Sequence, residues 1–449
     1  MAAKTTKDMT DGSSLKLILG FALPLLAGMI FQQVYSLMDM VIVGRCLGVN
    51  ALAAVGATGS INFLIIGFCL GICNGFALPV AQRFGARDYD GLRKYVGNSA
   101  VLAASIGITV TVLTVVLCRS ILTLMRTPSD IIDLSYQYIV IIFAGIPATI
   151  LYNLLSAHLR ALGDSLTPVI FLIISAVLNI GLDLLFIITL GWGVSGAAFA
   201  TVLSQTVSGL LCLVLIIFKF DILHPEKEDW HPEKMYIRNL LHMGLPMGFQ
   251  YSITAIGSVV VQASVNSLGS VAVASMTAAA KISLFVICPF DALGSTMATY
   301  GGQNVGAGKL ERLNQGLRSA VILGAVYSAL IFVVLFFFGE NLIHIFLSPD
   351  EQNVEAVVTW ARQFQIVNAA FYFPLALVNI VRFLIQGMGF SGLAVFAGIS
   401  EMAARTLVGL CFVPVFGFAA ACFANPLAWV LADCFLIPAF YYCRKKLQR

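Results

Sequence analysis

Seven ionisable side chains interrupt long apolar runs in this 449-residue chain: Asp39, Asp183, Lys281, Asp291, Glu401, Arg405 and Asp433. A charge placed mid-span in hydrocarbon costs about 2.5–3.5 kcal/mol on insertion scales, so each is a functional candidate. Asn179 stands one helical turn before Asp183 in the stretch NIGLD, presenting an amide and a carboxylate on one face. Asp39, Asp183 and Thr201 fall at one depth, roughly 9–12 Å below the outer end of their spans at 1.5 Å per residue. Two carboxylates, an amide and a hydroxyl at one level are hard oxygen ligands suited to Na⁺. The same like-charged Asp pair in a low dielectric suits a shared proton. The plain structural alternative is that these groups only hydrogen-bond neighbouring helices.

Other chemistry finds little support. The ten cysteines contain no C-x-x-C pair and no histidine at ligand spacing, so they read as small buried hydrophobes rather than as disulfides or a metal site. No Ser/His, Cys/His or histidine cluster is present, so a membrane-embedded enzyme is not expected. Glu401 and Arg405 are spaced i,i+4 and read as a mutually neutralising pair. Lys281 and Asp291 lie ten residues apart on one span and cannot pair as helix neighbours; Lys281 can close onto Asp183, Asp433 or a substrate, and the spacing names no partner for Asp433. Pro24 removes a backbone hydrogen bond from the first span, fifteen residues before Asp39. It is the candidate hinge linking occupancy at Asp39 to helix bend, with a static kink as the alternative.

The elements that position these groups follow from composition. Hydrophobic residues make up 59% and charged residues 11% of the chain, against about 25% charged in soluble proteins. Continuous apolar runs of 20 or more residues exclude a soluble fold, and their lack of alternation excludes a β-barrel. Polar breaks give twelve candidate transmembrane helices, near 16–44, 50–80, 94–118, 133–157, 166–190, 193–219, 240–266, 270–300, 315–339, 357–385, 391–413 and 417–442. One flank collects twenty Lys and Arg residues, among them Lys4, Arg160, Arg382 and the C-terminal CRKKLQR. The other has Arg45, Arg119, Arg126 and Arg362. The positive-inside rule therefore puts both termini in the cytoplasm. The polar start leads into a run too long for a signal-peptide core, so the first span is expected to be retained.

The chain also repeats itself. Leu47-Gly48, Ala51, Ala57 and Gln82, Gly85, Ala86 match Leu268-Gly269, Ala272, Ala278 and Gln303, Gly306, Ala307 at a single offset of 221. Pro24 pairs with Pro246, Leu162-Gly163 with Met388-Gly389, and Gly193-x-x-x-Ala197 with Gly417-x-x-x-Ala421. Two parallel six-helix halves are expected, 1–219 and 240–449, joined by a cytoplasmic linker over 220–239. The second half does not reproduce the carboxylate cluster: Arg405 and Gly409 stand where Asn179 and Asp183 are expected, and Asn425 where Thr201 is.

At these residues the sequence resembles the multidrug and toxic compound extrusion (MATE) transporters of bacterial type. The resemblance rests on P-x14-D with VGRCLGVNALAAVGA, PVAQRFGAR, NIGLDLLFI, GVSGAAFAT and YGGQNVGAG, and covers nearly the whole length. It implies an all-α membrane protein of twelve helices in a V-shaped pair of lobes. It also implies export of amphipathic, often cationic compounds against inward H⁺ or Na⁺, with Asp39, Asn179, Asp183 and Thr201 as the cation site. The stretch GLPMGFQYSIT lacks the Glu of the NorM-like branch, so the chain looks closer to the DinF-like branch. The substrate cavity is expected to draw on Met29, Gln33, Tyr35, Phe63, Tyr152, Asn153, Gln250, Met276, Lys281, Met297, Glu401 and Arg405. No cofactor or structural metal is implied beyond the coupling ion. Expected partners are small organic molecules and membrane lipids, not nucleic acid, with the chain acting as a monomer in the plasma (inner) membrane. The alternative within transport is a flippase for lipid-linked saccharides, which would want an arginine-rich cavity.

Overall fold

A computed structural model describes residues 6–125, 127–345 and 354–449; Lys4 and Arg126, counted above among the flanking charges, lie outside these residues. The described chain is helical, with no strand. Its helices are α1 (Ser14–Leu47), α2 (Val49–Gly85), α3 (Tyr89–Leu124), α4 (Ile132–Ala144), α5 (Ile146–Ala161), α6 (Leu166–Asp183), α7 (Gly193–Lys219) and α8 (Lys234–Asn266). They continue with α9 (Ser270–Gly306), α10 (Glu311–His344), α11 (Val354–Ala370), α12 (Tyr372–Gly387), α13 (Ser391–Leu407), α14 (Val413–Phe416), α15 (Phe418–Cys422) and α16 (Ala424–Leu447). Ten of the described helices or joined helices are long and apolar enough to cross a membrane, twelve if each of two bent pairs is one span.

Those two bends are the main departure from the expected spans. The span expected near 133–157 breaks by 46° between α4 and α5, and the one expected near 357–385 breaks by 51° between α11 and α12. Pro147 lies at the start of α5 and Pro374 is the third residue of α12. Each lacks an N–H and its ring crowds the preceding turn, so a helix arriving from upstream must restart there. The two fifth spans share a second irregularity: a π-helical stretch follows Asp183 over Leu184–Thr189, and another follows Leu407 over Val408–Phe412. Recurrence of both devices in the same spans is the repeat read from sequence, now written in the backbone. Gly48 and Gly269, paired at offset 221, both adopt positive φ, 85° and 98°, at the turn between the first two helices of each half. A side chain there would be strained.

The chain forms two compact units, one holding the chain through Asp8 and Leu23–Gly248, the other Met9–Ala22 and Phe249–Arg449. The change of unit falls beside Pro24 in α1 and beside Pro246 in α8. α1 is nonetheless one continuous helix through Pro24. Within the first unit the opening turns of α8 lie backbone to backbone on α2. A Cβ on Gly75 would sit 2.5 Å from the Gly244 Cα, and one on Gly71 2.5 Å from the Met247 carbonyl oxygen. Two G-x-x-x-G pairs thus make the close crossing, as small residues do between membrane helices.

Polar segments fasten to helix ends in both units. In the first, Asn98 on α3 donates through Nδ2 to the Asp229 carbonyl (3.4 Å) and accepts through Oδ1 from the Glu233 N–H (3.0 Å), holding the 220–239 segment down. In the second, the Met9 N–H donates to Gln303 Oε1 (2.9 Å), Asn304 Nδ2 donates to the Met9 carbonyl (3.2 Å), and the Ser14 and Tyr300 hydroxyls bond at 2.8 Å. The Gln and Asn of YGGQNVGAG therefore serve as an anchor for the chain's start. All ten cysteines are free; seven are buried, but Cys46, Cys411 and Cys434 are exposed on helix surfaces, against the uniform burial expected.

Candidate ion-coupling site

The expected cluster assembles in the first unit. Asp39 comes from α1, Asn179 and Asp183 from the last turns of α6, and Thr201 from α7, which packs along α6. Asn179 donates through Nδ2 to Thr201 Oγ1 at 3.3 Å, and the Thr201 hydroxyl donates back to the Ala197 carbonyl at 3.1 Å, fixing its direction. The Asp39 and Asp183 carboxyls meet within hydrogen-bonding reach. Asn179 and Asp183 are fully buried. No amide, hydroxyl or cationic donor among the described residues reaches Asp39 Oδ1, Asn179 Oδ1 or either oxygen of Asp183.

That set of orphaned oxygens decides the chemistry the site can do. Two carboxylates in contact, Asp183 buried and Asp39 half-buried, repel strongly, and leaving an enclosed acceptor unpaired costs about 1–3 kcal/mol, more when it is charged. A proton between the carboxyls, or a small cation among the four oxygens, relieves both terms at once. The residues fit either guest: all the free atoms are hard oxygen, and no thiol or imidazole is among them. The π-helical turn that follows Asp183 shifts the helix register where the site lies, a feature concentrated at functional positions.

Two tyrosines join the cluster. Tyr35, one turn before Asp39 on α1, hydrogen-bonds to Thr201, and Tyr138 on α4 is buried within electrostatic range of both aspartates. Tyr35 was expected only in the substrate cavity, and Tyr138 was not singled out; its position on a bent span hid which way it faces.

A cavity of about 210 Å³ opens beside the cluster, within the first unit. Met29, Tyr35, Tyr152 and Asn153 line it as expected, and so do Gln32, Thr149, Arg160 and Gln205, which were missed. Thr149 donates to Gln205 Oε1 (2.6 Å), Tyr152 to the Pro168 carbonyl (3.0 Å), and Arg160 to Asn74 Oδ1 (2.9 Å). Its volume is below the roughly 300–1,000 Å³ of drug-sized sites, so as it stands it accommodates a fragment of such a molecule. Tyr35 belongs to both the cavity and the carboxylate cluster, which makes it the physical link between them.

The remaining candidates lie elsewhere. Phe63 is half-exposed on α2, and neither it nor Gln33 lines this cavity. Gln250, Met276, Lys281, Met297, Glu401 and Arg405 belong to the second unit. Met297 is fully buried and is packing, not lining. Gln250 accepts from Gln386 Nε2 at 2.5 Å. Glu401 and Arg405 do form the expected i,i+4 pair, at 3.4 Å, but Glu401 is held from its other side by Arg382. Arg382 is thus corrected from a flanking topology charge to a buried member of an Arg-Glu-Arg triad, and Arg160 from a flank charge to a cavity wall.

The sequence profile of the MatE family matches the chain twice, over residues 24–185 and 246–411, starting each time on one of the paired prolines. The chain belongs to the MatE family. MATE proteins are membrane transporters, and this one is a multi-pass member. It is 31% identical to the probable multidrug resistance protein YoeA of Bacillus subtilis (strain 168), over 74% of this chain and 73% of that protein. It is 25% identical to an FAD transporter of Shewanella oneidensis, over 81% of this chain and 80% of that one. A crystal structure of a MATE protein in complex with MaL6 superposes with a TM-score of 0.91 at 23% identity, covering 99% of this chain and 100% of the other. At that identity the likeness establishes the all-helical MATE fold.

Proposed function

We propose that this MATE transporter is a secondary active antiporter that exports amphipathic, often cationic organic compounds across the plasma membrane in exchange for inward H⁺ or Na⁺. Asp39, Asn179, Asp183 and Thr201 hold the coupling ion, and both termini are cytoplasmic. The observation that carries the reading is the contact between the Asp39 and Asp183 carboxyls beside Tyr35, which also lines the cavity. Ion occupancy sets the charge of the pair. Through Tyr35 and its bond to Thr201 it also sets the shape of the adjoining wall, so a substrate group in the cavity and an ion at the carboxyls are energetically coupled. A cationic substrate is electrostatically favoured when the pair is empty and disfavoured when it is filled, which is the sign exchange requires.

The multidrug assignment of YoeA supports a broad organic substrate range. Met29, Tyr35 and Tyr152 around a few amides give the adaptable, weakly selective lining such a range needs. A lipid-linked saccharide flippase is not favoured. Arg160 is the one guanidinium lining this cavity, and Arg382 and Arg405 are both committed to Glu401. The test is uptake of a fluorescent organic cation into inverted proteoliposomes, with Na⁺ and pH gradients imposed separately. Acceleration by one gradient names the ion. Equal flux with and without either gradient contradicts antiport.

A further inference from the structure

The second unit contains an ionisable group that the coupling cluster does not use. Arg382 on α12, Glu401 and Arg405 on α13, Asp291 on α9 and Asp433 on α16 converge there, with Gln250 and Tyr251 of α8 alongside. Glu401 bridges Arg382 and Arg405, and Arg405 donates through Nε to Asn425 Oδ1 at 3.1 Å. Asn425 then donates to Asn368 Oδ1 at 3.3 Å. Asp291 and Asp433 are both in electrostatic range of Arg382, yet neither forms an ion pair among the described residues.

Glu401, Asp291 and Asp433 thus stand near Arg382 and Arg405, with Lys281 on the same helix as Asp291. The two unpaired aspartates differ in access. Asp291 is exposed at the surface of α9. Asp433 is 7% exposed, and its Oδ1 has no hydrogen-bond partner, while the Nε of Arg382 is also buried and unpaired. A buried, unpaired carboxylate carries a penalty of several kcal/mol, which neutralisation removes. Arg382 meets Glu401 through Nη2 and makes no bond to Asp433, although its Nε–H is free.

We propose that Asp433 is a second proton-holding site of this transporter, separate from the cluster at Asp39 and Asp183. The proton on Asp433 leaves Arg382 paired with Glu401. Its departure charges Asp433, which then attracts the free Nε–H of Arg382 and draws α16 towards α12 while Arg382 keeps Glu401.

The inference concerns protonation and does not depend on the antiport reading, so its test avoids transport. Acid-minus-alkaline infrared difference spectra are recorded on the purified full-length protein with Asp39→Asn and Asp183→Asn already in place. A protonated-carboxyl band that titrates is expected to remain, and adding Asp433→Asn is expected to remove it, whereas adding Asp291→Asn leaves it present. Should Asp433→Asn prove unstable, Asp433→Glu must keep the band at a shifted frequency. Absence of the band in the Asp39→Asn/Asp183→Asn protein, or a band unchanged by Asp433→Asn and Asp433→Glu, overturns the proposal.

Discussion

The two units use the same span of the repeat for opposite electrostatics. In the first, Asn179 and Asp183 meet Asp39 and Thr201, and the oxygens outnumber their donors. In the second, Arg405 and Gly409 occupy the matching positions, and Arg405 closes an ion pair with Glu401 and a bond to Asn425. At Gly409 a Cβ would lie 2.8 Å from Ser264 Oγ on α8, so a side chain there needs that hydroxyl to turn away. The lesson is that a repeat can preserve bends, π turns and glycine turns while one half keeps its charge unbalanced, ready for an ion, and the other binds most of its own charge internally.

The largest effect is expected from breaking the balanced side. Glu401→Ala leaves Arg382 and Arg405 buried without their shared partner, a loss on the order of 3–5 kcal/mol. Thermal unfolding in detergent should show a strongly lowered Tm or no folded protein, and a near-normal Tm would mean the triad is solvated. Next comes the α2–α8 crossing. Gly75→Val forces backbone apart and should cost roughly 1–3 kcal/mol, read as a lower Tm that Gly56→Val, in open space on the same helix, does not reproduce. On the unbalanced side, Thr201→Val removes the acceptor for Asn179 and the partner of Tyr35, about 1 kcal/mol of interaction. Ion affinity, measured as the half-saturating ion concentration for transport, should weaken about fivefold with little change in Tm. Smallest of all, Arg119→Ala removes an exposed pair with Asp133, worth at most about 0.2–1 kcal/mol. A large Tm shift there would mean that surface charge, not the buried triad, governs stability.

Much of this architecture was legible in the sequence because its signals are collinear. Apolar run length gave the spans, and the 221-residue offset gave the repeat. Counting residues from span ends placed Asp39, Asp183 and Thr201 at one depth, where the structure brings them together. What stayed hidden was azimuth. Tyr138, Gln32, Thr149 and Gln205 carry no charge and follow no spacing that tells a cavity-facing polar residue from one bonding its own helix. Arg160 and Arg382 were counted with the flanking charges because the positive-inside rule sees distance to a span end and not the direction of a side chain. The bends at Pro147 and Pro374 were visible as residues. Their angle depends on how the restarted helices pack, which a linear pattern does not carry.

The central claim is that the Asp39–Asp183 contact couples the ion to export. It is tested most directly by gradient-driven transport of a fluorescent organic cation in proteoliposomes by Asp39→Asn and Asp183→Asn, each checked for folding by Tm. The account predicts that both variants fold, that both lose the response to the driving gradient, and that each loses as much as the double variant, because the pair acts as one site. Transport that still follows the gradient in both single variants would contradict it and move the coupling to the carboxylates of the second unit.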